Sequence, residues 1–230
     1  MNIIWLGHGS FRIEIAGETL LVDPWLTGNP MLSEAQHEAA TGGASHILAT
    51  HAHFDHIADV PAISKAQNAP VSGPYELANH LFSQGAVEGN AFNKGGTIHI
   101  GDVSVTMVPA SHSSSTMIDD RPVYMAAEVG FMIKGEGKCI YISGDTDVMA
   151  DMDWMGDMHK PDIGILSAGG YFTMDMAGAA YAAKRYFNFS TVIPCHYRTF
   201  PLLEQNADVL QAELANANVI EPEVLQAITL

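Results

Sequence analysis

The sequence predicts an α/β protein in which two similar strand-rich layers pack sheet to sheet with helices outside. Three observations carry this. Each half of the chain opens with short strand-like segments, and each half then passes into alternating strand and helix. No Pro-, Gly- or Ser-rich linker separates the halves, so residues 1–230 are expected to form a single domain. The 230 residues are 47% apolar and only 16% charged, enough to build a sizeable core and too apolar for disorder.

The elements follow in order. Residues 3–6 are an apolar strand, and in 11–15 Phe11, Ile13 and Ile15 alternate with Arg12 and Glu14, the pattern of a half-buried strand. After a turn at 17–18, residues 19–22 form a strand that ends at Asp23-Pro24. Residues 24–45, with two prolines and three glycines, read as a long connection holding one helical turn near 33–39. A short strand at 46–49 runs into a His-rich loop, followed by a helix over 57–67, a strand at 70–72 and a helix over 75–83. Residues 97–109 read as a hairpin around Gly101-Asp102, and 123–134 with 138–143 as another around Gly135-Glu136-Gly137. Beyond these, a helix is expected over 148–157, a strand at 163–167, a helix over 176–187 and a strand at 191–195. A helix over 201–215 and a short strand at 219–221 complete the pattern.

Charge narrows the partners. Ten Lys and Arg against 26 Asp and Glu give a net charge of −16, which disfavours nucleic acid and anionic membrane surfaces. No apolar stretch approaches the ~20 residues of a membrane span. The first residues read as a strand rather than a secretion signal, so a cytoplasmic protein is expected, with a small-molecule substrate and homo-oligomerisation left open. Cys139 and Cys195 lie in apolar runs and are expected to be buried thiols.

Eleven histidines are an unusual number beside ten Lys and Arg, and they cluster. His51-Ala52-His53-Phe54-Asp55-His56 places four candidate metal ligands on the loop leaving a strand. For this composition such a pattern arises by chance on the order of one time in a thousand. One short loop cannot surround an ion alone, and His112, Asp145 and His196 each follow a predicted strand.

These residues resemble the metallo-β-lactamase superfamily, whose hallmark is His-x-His-x-Asp-His followed by a distant His, Asp and His. The segments Trp5-Leu6-Gly7-His8-Gly9-Ser10-Phe11 and Leu21-Val22-Asp23-Pro24 are similar to the opening of its ascorbate-6-phosphate-lactonase-like branch, as is Gly169 to Met174. The resemblance implies a four-layer αββα sandwich: two mixed sheets face to face, helices outside. It implies two divalent metal ions, zinc before manganese, nickel or iron. His51, His53 and His112 would hold one; Asp55, His56 and His196 the other; Asp145 would bridge them. Asp23 is expected to orient the central loop from behind the ligands. Asp55 and His8 are the catalytic candidates, His8 for proton transfer or substrate contact, against the alternative of a hydrogen-bonded structural histidine.

A hydroxide between two such ions would attack a small ester, lactone or phosphoester. Phosphodiester hydrolysis of a cyclic nucleotide or phospholipid is the rival. A mononuclear iron oxygenase or a non-catalytic metal-binding protein is the alternative of another class. Phe54, which cannot ligate, favours hydrolysis over di-iron redox chemistry. Arg198 and Tyr171 are the candidate substrate contacts, against a surface ion pair and simple packing. Ser113-Ser114-Ser115 reads as a polar loop, and Asp151, Asp153, Asp157 and His159 as a solvated acidic face.

Overall fold

A computed structural model describes residues 1–230 and contains two seven-stranded mixed sheets. In the first, β1 (Asn2–Trp5), β2 (Phe11–Ile15) and β3 (Glu18–Val22) run antiparallel. They continue in parallel into β4 (His46–Leu48), β5 (Val71–Pro74) and β6 (Glu88–Phe92). The second repeats the plan. Strands β7 (Thr97–Ile100), β8 (Val103–Pro109), β11 (Val129–Gly135) and β12 (Lys138–Ile142) are antiparallel. Strands β13 (Ile163–Ser167), β14 (Thr191–Cys195) and β15 (Asn218–Val219) extend it in parallel. A separate hairpin, β9 (Ser115–Ile118) with β10 (Arg121–Tyr124), lies between β8 and β11 in sequence, and β16 (Ala227–Thr229) returns to pair with β1.

The alternation in β2 does what its pattern requires: Phe11, Ile13 and Ile15 are buried. They share one apolar cluster with Ile3 and Leu20 of their own sheet and with Val105, Phe131 and Ile133 of the other. Burying each such side chain contributes roughly 1.5–3 kcal/mol. Helices close both outer faces. Ile63 of α3 (Val60–Gln67) and Leu77 and Leu81 of α4 (Tyr75–Ser83) pack with Leu21, Ile47 and Val71 of the first sheet. Met152 and Met155 of α5 (Met152–His159) and Ala179 and Ala182 of α6 (Met176–Tyr186) join the larger cluster on the second. Two further helices, α1 (His37–Thr41) and α2 (Phe54–Ile57), flank β4, and α7 (Asp208–Glu213) packs on α6. This is the four-layer αββα sandwich. No helix is long and apolar enough to cross a membrane.

Several boundaries differ from those read in the sequence, each for a local reason. Residues 57–67 hold two helices, because Asp59 turns its carboxylate onto the amides of Leu26 and Thr27 and Pro61 cannot continue the ladder. Val123 and Tyr124 belong to the β9–β10 hairpin, closed at Asp119 and Asp120 by positive φ values of 48° and 58°. The helix expected from 148 begins at Met152, since Asp147 Oδ1 accepts the Val148 amide instead. Of 201–215 only Asp208–Glu213 is helical. The preceding backbone is spent on the site: the Glu204 amide donates to Gly169 and its carbonyl accepts from Arg198.

Candidate metal centre

Six strand ends converge on one spot. His8 follows β1, Asp23 follows β3, the loop from His51 to His56 follows β4, and His112, Asp145 and His196 follow β8, β12 and β14. Rigid strands thus fix groups far apart in sequence. Side-chain ligand atoms form two main groups, His51, His53, His112 and Asp145, and His8, Asp55, His56 and His196, with Asp23, His51 and His56 a third that shares one histidine with each.

Asp145 Oδ2 sits between them. It lies 3.0 Å from His196 Nε2, 3.5 Å from His56 Nε2, 3.6 Å from His112 Nε2 and 3.9 Å from His51 Nε2. Asp55 Oδ2 lies 3.7 Å from both His56 Nε2 and His196 Nε2. Yet the Nε2 atoms of His56 and His196 are buried without a well-directed hydrogen bond. Buried polar atoms are rarely left so. His51 Nε2 faces His53 Nδ1 at 3.0 Å, two ring nitrogens that need a proton or cation between them. The donor set, imidazoles and carboxylates, suits zinc, manganese, nickel or iron. The residues fit a divalent-metal centre.

The tautomers are set from behind. Asp23, buried, accepts from the Thr50 amide at 2.7 Å and from His56 Nδ1 at 2.8 Å, and the Thr50 hydroxyl also donates to it. With Nδ1–H donating to Asp23, His56 turns Nε2 to the cluster, where a metal ion would take the place of a proton. His53 Nε2 is held by Ser113 Oγ at 3.2 Å, leaving Nδ1 inward. His8 bonds Asp55 Oδ2 through Nε2 and Thr199 Oγ1 through Nδ1, both at 2.8 Å. A carboxylate only accepts, so Nε2 donates to Asp55, while Thr199 Oγ1 lies within hydrogen-bond reach of both His8 Nδ1 and the Tyr197 carbonyl.

Backbone strain reaches the centre. His8, Asp23 and His196 are left-handed, with φ of 53°, 46° and 59°. Gly144, before Asp145, also has φ of 60°, and a Cβ there would lie 2.5 Å from the Val129 carbonyl. At Gly9 a Cβ would meet His56 Cε1 at 2.9 Å, so glycine lets the imidazole approach.

Electrostatics divide the histidines. Burial lowers His51, His53 and His112, and pushes His8 down to about 4 despite Asp55. Burial acts the same way on His56 and His196, but Asp145 and Asp55 overcome it, holding His56 well above its ordinary value and His196 at about 9. Asp55 and Asp145 are held ionised: burial opposes this, and the facing histidines prevail.

The two candidate substrate contacts are not brought to the cluster. Arg198 Nη1 lies 3.5 Å from Glu223 Oε1, and its guanidinium sits over the Trp5 and Tyr197 rings. Tyr171 is 73% exposed and lines a neighbouring cavity. The cavity over the cluster, about 590 Å³, is walled instead by Phe54, Phe172, Phe200 and Leu202. Thr199, Phe200 and Leu202 were not singled out from the sequence. Their one signal is position, just after His196 on the loop leaving β14.

Comparison with known proteins agrees. The sequence profile of the beta-lactamase superfamily domain matches residues 18–197. A UPF0173 metal-dependent hydrolase of Ruegeria sp. (strain TM1040) is 60% identical over 230 residues, covering 100% of both chains. The solved structure of Igni18, a metallo hydrolase from the hyperthermophilic archaeon Ignicoccus hospitalis KIN4/I, matches with a TM-score of 0.88 at 28% identity, covering 100% of this chain and 97% of that one. CmlA, a diiron beta-hydroxylase from Streptomyces venezuelae, matches with a TM-score of 0.75 at 14% identity, over 54% of its length, and shows the fold alone.

Proposed function

This chain belongs to the beta-lactamase superfamily and is a metal-dependent hydrolase; from that premise we propose that it works through two divalent ions on small ester, lactone or phosphoester substrates. The observation that carries this is Asp145 Oδ2 facing the Nε2 atoms of four histidines, between two ligand groups. His51, His53 and His112 would hold one ion, Asp55, His56 and His196 the second, and Asp145 would be shared. Zinc suits this donor set best, with manganese, nickel and iron next. The ions would supply a water acidic enough to ionise near neutral pH and stabilise charge developing on the attacked group.

The chain's own groups orient and hold. Asp55, ionised and open to the cavity, is placed to accept a hydrogen bond from water and is fixed by the Nε2–H of His8. His8 is buried, neutral and engaged at both ring nitrogens, which suits a positioning role better than proton transfer. In ester hydrolysis water adds to the carbonyl carbon, the bond to the leaving oxygen breaks, and that oxygen takes a proton from water.

Elemental analysis of protein purified without added metal, and again after chelation and reconstitution, tests the reading. About two ions per chain, with hydrolysis that returns on reconstitution, is expected. One iron per chain with oxygen-dependent turnover would favour oxygenation on this fold instead. No bound metal after reconstitution would end the proposal.

A further inference from the structure

We infer that the cavity over the metal centre is built for an uncharged substrate with an apolar arm, and that it rejects phosphorylated and other anionic substrates. This rests on the hydrolytic reading above and narrows its substrate class.

The collar of the cavity is aromatic and aliphatic. Phe54, Phe172, Phe200 and Leu202 surround the opening, and Ser113 is the polar side chain there that is neither a metal-ligand candidate nor His8. Phe54 is 64% exposed and Phe172 49% exposed. Large rings left in water beside a reactive cluster mark a surface that awaits an apolar ligand. The collar is braced. Trp25, itself buried, meets the Phe54 ring edge-on at 5.8 Å between centroids and lies 6.3 Å from the Phe200 ring. Its indole Nε1 is tied to the Thr27 carbonyl at 2.7 Å, so the rings rest on a fixed support.

Charge points the same way. No Lys or Arg lines the cavity. Anions are ordinarily held by a guanidinium or ammonium, and the nearest in sequence, Arg198, is turned towards Glu223. His8 is already hydrogen-bonded at both ring nitrogens, to Asp55 and Thr199. Leu202 separates this cavity from a second one of about 610 Å³, where Asp147, Asp175 and Glu204 stand. An anionic arm reaching past Leu202 would meet carboxylates. The collar side chains themselves offer no cation to meet that charge, and burying it against them is costly.

The test pairs binding with turnover. The neutral fluorophore N-phenyl-1-naphthylamine is titrated into metal-loaded protein and competed with 3-phenylpropanol or phenyl phosphate. Expected are saturable binding, displacement by the alcohol and not by the phosphate, and a loss of about five- to tenfold in affinity for Phe54→Ser and Phe172→Ser. Both side chains are solvent-exposed, so the variants should fold, and circular dichroism checks this. In parallel, 4-nitrophenyl hexanoate and the mono-4-nitrophenyl ester of adipic acid, equal in chain length, differ by one carboxylate. The neutral ester should have a kcat/KM at least about a hundredfold higher. Equal turnover of the two esters, displacement by phenyl phosphate, or dye binding unmoved by both variants would overturn the inference. Dye binding that the variants weaken, with turnover of neither ester, would support the apolar collar while refuting ester hydrolysis.

Discussion

Asp23→Asn is nearly isosteric, yet it should impair the metal centre from behind. Asp23 receives three donors: the Thr50 amide at Oδ1, and the Thr50 hydroxyl and His56 Nδ1 at Oδ2. Asparagine offers one acceptor atom and two N–H donors in the same space. If its oxygen stays on the Thr50 amide, its NH₂ faces His56 Nδ1. The imidazole must then give up the Nδ1 proton or leave it opposed by another donor. Moving the proton to Nε2 removes the lone pair that would hold a metal ion. If the amide flips, the Thr50 N–H is left unpaired in a buried site. Either orientation loses one strong buried bond, worth roughly 1.5–3 kcal/mol. At 1.4 kcal/mol per decade this is about 10- to 150-fold in the affinity of the ion on His56. Measured costs of disturbing such supporting groups, about 10- to 100-fold, agree.

The assay is competition with a chromophoric chelator at neutral pH, which separates two affinities in one titration. The affinity proposed for the ion on Asp55, His56 and His196 should fall, and that proposed for the ion on His51, His53 and His112 should change little. Nitrogen-detected spectra of the loaded protein's imidazoles report which ring nitrogen carries a proton. Thermal denaturation of the metal-free forms measures any general loss of stability. Two wild-type affinities in Asp23→Asn, with the His56 proton still on Nδ1, would refute the orienting role.

Three further outcomes are expected. Asp145→Asn should lower metal content by at least one ion per chain and hydrolysis by about a hundredfold or more, read by elemental analysis and steady-state rates; full metal content would remove the shared-ligand assignment. Gly144→Ala must hold alanine at φ of 60° with its Cβ 2.5 Å from the Val129 carbonyl, so unfolding free energy should drop by about 2 kcal/mol or more, measured by urea denaturation of the metal-free protein. His46, outside the centre, is buried on Ser72 Oγ at 2.7 Å, and burial lowers it to about 4 in spite of Glu18. The unfolded chain therefore binds a proton between about pH 6.5 and 4 that the folded chain refuses. Stability should fall as pH drops through that window, by up to roughly 3 kcal/mol from this group, and His46→Gln should flatten the decline in Tm across it; an unchanged decline would show that His46 is not its source.

The parts of the centre that sequence made visible share one property. His51, His53, Asp55 and His56 are close in the chain, and His112, Asp145 and His196 each end an apolar strand, so local spacing and strand pattern made them candidates and the family resemblance implied their roles. The strand pattern of both halves was legible for the same reason, since Phe11, Ile13 and Ile15 must face a core wherever that core lies. Edge strands were not: Glu88–Phe92 is mostly exposed, contains Gly89 and Asn90, and carries no alternation. Nor could pattern find what depends on one loop meeting another. Arg198 stands two residues beyond His196, which suggests a substrate contact. The left-handed φ of 64° at Arg198 and its amide bond to Glu204 accompany a side chain turned instead onto Trp5, Tyr197 and Glu223. The next residues, Thr199 and Phe200, take the places at the site: one bonds His8, the other walls the cavity. The candidate ligands of this centre are thus placed by strand ends, which the sequence pattern reveals. The surroundings that choose a substrate are set by loop crossings, such as Glu204 on Gly169 and Asp59 on Thr27, which it does not. Substrate class therefore has to be sought in the collar of Phe54, Phe172, Phe200 and Leu202 rather than in the fold, which chemistry as different as hydrolysis and hydroxylation can share.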